Sequence, residues 1–360
     1  MQAVVMRGSE LKVEDVVEPE PSEGEVLVKT LACGICGSDL HALKFAAQMS
    51  EASAQADGSM EMDLSRGVIM GHEFCAEILE HGPGTTKAHA IGSRVCSVPM
   101  TFRNGEMKAV GYSDEVPGGY AENMVLTESM LLEVPNGLST DMAALTEPMA
   151  VGYHAVQVAK LSKEVPLVIG CGPVGLAVIA ALKMNQVGPI IAADFSPKRR
   201  QLAEVMGADL VVDPAENSPY ESWVQVASTD VDEGALPQSL IAGPALRPGV
   251  FFECVGIPGV IDQVMVGAPQ GGRIVILGVC MEEDHFQPMS GITKELSLQF
   301  VLGYTPEEFA QTLHNIAEGK VDAAPLISGR VGLSGVPAAF EDLADPDKHA
   351  KIIVDPTMPS

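Results

Sequence analysis

The chain contains the stretch VPLVIGCGPVG at residues 165–175, where an apolar run meets the pattern G-x-G-x-x-G. The apolar run at 165–169 predicts a buried strand, and residues 174–185 predict a helix that starts on the glycines. A glycine-rich turn between a strand and a helix can hold a phosphate against backbone N–H groups at the helix N-terminus. This stretch therefore predicts a nucleotide-binding unit of parallel strands and helices.

The sequence on either side of this stretch follows two different patterns. After residue 165, predicted strands alternate with predicted helices, which favours a parallel, doubly wound sheet. Before residue 127, short predicted strands follow one another without intervening helices, which favours a partly closed β-barrel. A chain of 360 residues has room for both, so the sequence predicts an α/β protein of two domains.

The three glycines of the fingerprint have distinct predicted roles. Gly170 makes the tight turn, Gly172 lets a pyrophosphate approach the backbone, and Gly175 lets the helix pack closely. Asp194 follows Gly175 by 19 residues, at the end of the next predicted strand, where a carboxylate would bind the adenosine ribose. The predicted cofactor-binding residues are Gly170, Gly172, Pro173, Val174, Gly175, Asp194 and Arg199.

Asp194 also predicts NAD rather than NADP as the cofactor. Its negative charge would repel the 2′-phosphate that distinguishes NADP. The basic residues 198–200 lie just beyond it and could weaken this preference, or could simply form the solvated face of a helix. NAD is the favoured prediction.

Composition and charge exclude some partners and indicate a compartment. Lys and Arg number 22 and Asp and Glu 48, so the formal net charge is −26, and such a chain repels nucleic acid and anionic membrane surfaces. The 18 uncharged residues at 165–182 are long enough for a membrane span, but their central glycines and proline predict a strand and a helix instead. Seven cysteines without paired spacing, and no leader-like N-terminus, predict a reduced, cytoplasmic protein.

A second motif concentrates reactive side chains in eight residues. Residues 34–41 have the sequence GICGSDLH. Cys36 can be a thiolate metal ligand, Ser38 can accept a proton, and His41 can pass a proton outward.

Further metal donors follow at wide spacing. They are His72 and Glu73 in the triplet GHE, and Glu147 in the pair EP. Together with Cys36 these donors suit zinc, which in catalytic sites has three protein ligands and one open position. Their separation is too wide for a local metal loop, so spacing alone does not place them together.

The motifs at 34–41, 71–73 and 147–148, followed by the nucleotide fingerprint, occur in the order found in zinc-dependent medium-chain alcohol dehydrogenases. The resemblance covers nearly the whole chain. The stretch EPMAVG at 147–152 is most similar to the branch of sorbitol, butanediol and threonine dehydrogenases, where a glutamate replaces a cysteine of alcohol dehydrogenases proper.

The resemblance implies a domain arrangement. A GroES-like, partly closed β-barrel catalytic domain would occupy residues 1–150 and carry the zinc ligands. A Rossmann dinucleotide-binding domain would occupy residues 151–285, and residues 286–360 would return to the catalytic domain. Members of this family are dimers or tetramers, so a homodimer or homotetramer is expected.

The resemblance also implies the ligands of one catalytic zinc. Cys36 and His72 would bind it directly, and Glu73 or Glu147 would complete the shell, directly or through water. Asp39 would orient His72 through a hydrogen bond. Many family members hold a second, structural zinc on four closely spaced cysteines, but residues 97–123 contain no cysteine. One zinc per chain is therefore expected.

The implied reaction is hydride transfer between an alcohol and NAD, with a secondary alcohol, diol or polyol as substrate. Ser38 would take the substrate proton and pass it, through the cofactor ribose, towards His41. Residues 44–66 form a longer insertion than is usual in the family, which weakens any transfer of substrate identity. The alternatives are a threonine- or formaldehyde-type dehydrogenase, a zinc-free reductase of the same superfamily, and a non-catalytic nucleotide-binding redox sensor.

Overall fold

A computed structural model describes residues 1–103, 105–135, 137–228 and 246–359 of the protein. The chain forms two compact units. The first consists of residues 1–148 and 306–360, and the second of residues 149–305.

The N-terminal part of the first unit consists mainly of short antiparallel strands. Its strands are β1 (Gln2–Arg7), β2 (Glu10–Asp15), β3 (Glu25–Gly34), β4 (Glu73–His81), β5 (Arg94–Ser97), β6 (Met100–Arg103), β7 (Glu106–Ala109), β8 (Asn123–Thr127) and β9 (Leu131–Glu133). The long strand β3 pairs antiparallel with both β4 and β8. Two helices, α1 (Gly37–Gln55) and α2 (Thr140–Ala144), accompany these strands.

Helix α1 accounts for half of the insertion predicted at 44–66. It begins within the GICGSDLH motif, at Gly37, and has a kink at Phe45, whose backbone angles are not helical. Ala42, Ala46 and Met49 recur at helical spacing and are buried, so packing of this face holds the helix in place. Ser38 and His41 therefore lie on a helix, one turn apart.

The second unit contains a six-stranded parallel sheet. Helix α3 (Thr146–Ala159) leads into it, and the elements that follow are β10 (Val165–Ile169), α4 (Pro173–Met184), β11 (Ile191–Ala193), α5 (Pro197–Met206), β12 (Leu210–Val212), α6 (Pro219–Ala227), β13 (Gly249–Glu253), α7 (Val260–Gly267), β14 (Arg273–Ile276), α8 (Pro288–Lys294) and β15 (Ser297–Phe300). The strand order is β12-β11-β10-β13-β14-β15. The predicted doubly wound parallel sheet is confirmed, and the apolar run at 165–182 divides into β10 and α4.

The chain returns to the first unit at residue 306 rather than at the predicted residue 286. The physical reason is that β15 pairs in parallel with β14, so that residues up to 300 complete the sheet of the second unit. The returning elements are α9 (Pro306–Ala317), β16 (Ile327–Val331), α10 (Val336–Leu343) and β17 (Lys351–Val354). Strand β17 pairs antiparallel with β3 at Gly34, which adds the end of the chain to the main sheet of the first unit.

The two predicted domain types are both present, and the α/β two-domain prediction is confirmed. The first unit is built on a seven-stranded, mostly antiparallel sheet, and the second on the parallel sheet. No helix in the described ranges combines the length and the apolar character needed to cross a bilayer.

Candidate active site

The pairing of β3 with β4 brings three of the predicted metal donors together. Gly34, near the end of β3, lies opposite Glu73 at the start of β4. Cys36 follows the first strand and His72 precedes the second, so their side chains converge. The ligand atoms of Cys36, His72 and Glu73 all lie within 4.8 Å of one another. This group can hold a metal ion.

Asp39 forms the support of His72. Its Oδ1 lies 3.4 Å from His72 Nδ1, and its Oδ2 accepts the backbone N–H of Cys36 at 3.0 Å. Burial raises the pKa of Asp39, but the positive charge of His72 and the hydrogen-bond donors outweigh it, so the net shift is downward. Burial lowers the pKa of His72, but the charge of Asp39 and smaller contributions from Asp39 and Cys36 together raise it by more. The carboxylate therefore remains ionised and lies beside the imidazole as an ion-pair partner, while His72 Nδ1 has no aligned hydrogen bond among the described residues.

Two tyrosines that the sequence analysis did not select also reach Asp39. Tyr120 donates to Asp39 Oδ2 at 2.6 Å, and Tyr112 donates to Asp39 Oδ1 at 3.0 Å. The ring of Tyr112 lies 5.1 Å from that of His72, centroid to centroid. Burial raises the pKa of both tyrosines well above the usual value, with the charge of Asp39 acting in the same direction. Both are neutral hydrogen-bond donors.

Lys351 is the largest omission of the sequence analysis. It is fully buried, and its Nζ donates to both carboxylate oxygens of Glu73, at 2.6 and 2.7 Å, and to the carbonyl of Ile35 at 3.0 Å. Burial lowers the pKa of Lys351, but the charge of Glu73 and several smaller contributions, among them the hydrogen bond to Glu73, together raise it by more. The lysine therefore stays protonated. The one available signal in the sequence was a lysine directly before the apolar residues 352–354.

Glu147 occupies a different position from Glu73. It is half-buried in the first turn of α3, and the described three-donor group does not include it. The charge of Glu147 also raises the pKa of Lys351, but by less than the charge of Glu73 does. Both candidate carboxylates thus act electrostatically on the same buried lysine.

Ser38 and His41 have different surroundings. Ser38 Oγ lies 2.8 Å from the Tyr112 hydroxyl. His41 is half-buried, and its Nδ1 has no hydrogen-bond partner among the described residues. Burial, and then the charge of Lys44, lower the pKa of His41, so its imidazole is neutral at pH 7 and able to accept a proton.

The glycine-rich loop in the second unit has the geometry of a phosphate-binding turn. Gly170 has φ +88°, which favours glycine. A Cβ on Gly175 would lie 1.9 Å from the carbonyl oxygen of Gly170, whereas a Cβ on Gly172 would meet only the Arg199 guanidinium at 3.9 Å. The third glycine is therefore required by packing, and the second leaves open space at the N-terminus of α4, which Pro173 and Val174 begin.

Asp194 fixes this loop to the end of β11. Its Oδ2 accepts the N–H of Cys171 at 2.7 Å, and its Oδ1 accepts the N–H of Ser196 at 2.8 Å. Ser196 caps α5 by accepting the N–H of Arg199 at 3.1 Å. The Nε of Arg199 is buried and has no hydrogen-bond partner in the described part of the chain. A guanidinium with an unpartnered Nε next to an open glycine loop suits an anionic group.

Comparison with known proteins follows the same division of the chain. Residues 22–136 match the family described as "Alcohol dehydrogenase GroES-like domain", and residues 173–318 match "Zinc-binding dehydrogenase". The chain is 30% identical to (R,R)-butanediol dehydrogenase of Bacillus subtilis, over 96% of this chain and 97% of that protein. It is 27% identical to L-threonine 3-dehydrogenase of Streptomyces avermitilis, over 99% and 100% of the two chains.

A solved structure gives the same picture. The crystal structure of 2R,3R-butanediol dehydrogenase from Bacillus subtilis superimposes with a TM-score of 0.80 at 28% identity, covering 99% of each chain.

Proposed function

Because the chain belongs to the zinc-dependent medium-chain alcohol dehydrogenases, we propose that this oxidoreductase transfers a hydride between NAD and a secondary alcohol, diol or polyol. The observation that carries the proposal is the convergence of a thiol, an imidazole and a carboxylate, from Cys36, His72 and Glu73. The similarity to a butanediol dehydrogenase supports the diol class of substrate.

The donor set fits a catalytic zinc. Cys36 and His72 would be direct ligands, and Asp39, whose Oδ1 lies 3.4 Å from His72 Nδ1, would orient the imidazole, as a carboxylate commonly does for zinc-bound histidines. Glu73 would be the third ligand because its carboxylate lies in the group, while Lys351 balances its charge. Glu147 would contribute to the shell through water. We propose one zinc per chain.

The residues of this chain account for the movement of the proton. A bound zinc would act as a Lewis acid that lowers the pKa of the substrate hydroxyl, and NAD would accept the hydride. Ser38 would accept the proton that leaves the substrate hydroxyl and release its own hydroxyl proton towards His41, so that the serine stays neutral. His41, neutral and one helical turn further along α1, accepts a proton on the outer side of this path.

The glycine-rich loop supports NAD as the preferred cofactor. Gly170, Gly172 and Gly175 would hold the pyrophosphate at the start of α4. Asp194 would accept hydrogen bonds from the ribose, where a 2′-phosphate would be repelled, and Arg199 would contact the cofactor from the side of Gly172. We further propose that the protein is a homodimer or homotetramer. We also propose that it is cytoplasmic, in keeping with its seven free thiols.

The test is reduction of NAD and NADP with a panel of secondary alcohols, diols, polyols, threonine and formaldehyde. The zinc-loaded protein is compared with protein treated with a strong chelator and then restored with zinc. Turnover of a diol or polyol with NAD, lost with the metal and regained with it, is expected. Preference for threonine or formaldehyde would reassign the substrate, and NAD binding without turnover of any substrate by a zinc-loaded sample would favour a nucleotide sensor.

A further inference from the structure

Among the described residues, Tyr112 is the one whose side chain hydrogen-bonds both to Asp39, which lies beside the candidate ligand His72, and to Ser38, the proposed proton acceptor. Its hydroxyl oxygen lies 2.8 Å from Ser38 Oγ and 3.0 Å from Asp39 Oδ1. Because a phenol has one proton and the ionised carboxylate can only accept, Tyr112 donates to Asp39 and accepts a hydrogen bond from the Ser38 hydroxyl. Its ring lies against that of His72, and the whole residue is only 6% exposed. Packing on one side and the carboxylate on the other therefore fix the position of the phenol oxygen.

A fixed phenol constrains the hydrogen bonds that Ser38 can make. A serine hydroxyl has one proton and two lone pairs, and without a partner it rotates among three staggered positions. The Ser38 proton is directed at the Tyr112 oxygen, so both lone pairs of Ser38 remain free to accept. Ser38 can therefore receive the proton of the substrate hydroxyl without first rotating.

Tyr120 provides an internal comparison. Its hydroxyl binds the other oxygen of the same carboxylate, Asp39 Oδ2, at 2.6 Å, and approaches the carbonyl of Gly34 at 3.4 Å. It is as deeply buried as Tyr112. Both tyrosines thus stabilise Asp39, but only Tyr112 has a hydrogen bond to Ser38 in the described structure.

We propose that Tyr112 is a positioning residue that holds the Ser38 hydroxyl in the orientation that accepts the substrate proton. This inference rests on the proposed function of Ser38. It adds a residue from the segment between β7 and β8, where the sequence showed no candidate at all.

The test is a pair of double-mutant cycles, Y112F with S38A and Y120F with S38A, measured on the zinc-loaded enzyme with its best substrate. S38A is expected to lower kcat by about 100-fold, the usual range for loss of a proton-transfer group. Y112F keeps the ring on His72 and is expected to lower kcat by about tenfold in the wild type, with KM nearly unchanged. In the S38A background the effect of Y112F on kcat should shrink to about that of Y120F, because only the hydrogen bond to Asp39 is then lost.

Y120F is the matched control, because it removes one hydrogen bond from the same carboxylate without touching Ser38. Its effect on kcat should be the same in the wild-type and S38A backgrounds. The same cycles are measured by urea unfolding of the metal-free protein. There the midpoint shift caused by Y112F should shrink when Ser38 is absent, while that of Y120F should not.

The outcomes separate this inference from the function on which it rests. If S38A lowers kcat but Y112F has an equal effect in both backgrounds, Tyr112 does not act through Ser38, and the inference is wrong while the proton path stands. If S38A retains wild-type kcat, the proposed proton path is itself wrong, and Tyr112 has no reacting group to position.

Discussion

The metal group of the first unit and the glycine-rich loop of the second unit are built in opposite ways. The loop lies within six consecutive residues, Gly170 to Gly175, and its geometry follows from local backbone freedom. The metal group draws on residues 36, 72–73 and 351, joined by the pairing of β3 with β4 and with β17. A local site can be recognised from a motif, whereas a site assembled by strand pairing depends on contacts that no motif contains.

The largest expected effect concerns the assembled site. Cys36→Ser should remove zinc and lower kcat/KM by about 10³-fold or more, since a Lewis-acid metal supplies several kcal/mol to the transition state. NAD binding, which depends on the other unit, should be retained. Metal analysis and calorimetric titration with NAD check both statements.

Cys280→Ser is the control for this experiment, because Cys280 is a half-buried free thiol in the second unit. Among the described residues, its Sγ hydrogen-bonds only to the carbonyl of Glu282. It should keep both zinc and activity. A Cys36→Ser protein that holds zinc in wild-type amount would show that the metal lies elsewhere.

The next effect concerns the buried ion pair between Glu73 of β4 and Lys351 of β17. Lys351→Met should destabilise the protein by about 3–5 kcal/mol, because it leaves the buried charge of Glu73 without a partner. The double variant Lys351→Met with Glu73→Gln should recover most of that loss. Urea unfolding of the metal-free proteins, followed by circular dichroism, measures the difference.

Lys348→Met provides the surface counterpart, since Lys348 pairs with Asp342 in solvent. It should leave the unfolding midpoint nearly unchanged. Equal destabilisation by the two lysine substitutions would mean that burial does not distinguish the pairs.

The two glycines of the loop should separate packing from binding. Gly175→Ala should destabilise the second unit by about 1–3 kcal/mol, since its Cβ would overlap the carbonyl of Gly170. Gly172→Ala, in open space with ordinary φ, should change stability by less than about 0.5 kcal/mol but weaken NAD binding by about tenfold.

Fluorescence of the single tryptophan reports the unfolding of the second unit selectively. Trp223 is buried in that unit and donates to the carbonyl of Val165 at 3.0 Å. Unaltered NAD affinity in Gly172→Ala would indicate that no pyrophosphate approaches this glycine.

The smallest effect is a pH dependence within the second unit. Burial raises the pKa of Glu164, but hydrogen bonds from backbone N–H groups and the charge of Arg273 outweigh it, so its pKa is lowered from 4.5. Its contribution to stability is therefore present above pH 4.5 and is lost as the pH falls through the lower, folded-state pKa. Glu164→Gln should slightly flatten the fall in Trp223-detected stability below pH 4.5, and a steeper fall would contradict this assignment.

The sequence by itself determined the features that repeat or lie close together along the chain. The alternation of predicted strands with predicted helices identified the parallel sheet. This was possible because buried strands and amphipathic helices each place apolar residues at a characteristic spacing along the chain. The G-x-G-x-x-G pattern identified the loop, and the donor types of Cys36 and His72 identified zinc chemistry, since these depend on side-chain chemistry alone.

Only the tertiary structure decided which groups meet. Lys351 reaches Glu73 across 278 positions of the chain, and Tyr112 reaches Ser38 across 74. The sheet boundary near residue 300 likewise depends on the pairing of β15 with β14. Strand register and the packing of a buried charge set these contacts, and both are properties of the whole fold rather than of any local pattern.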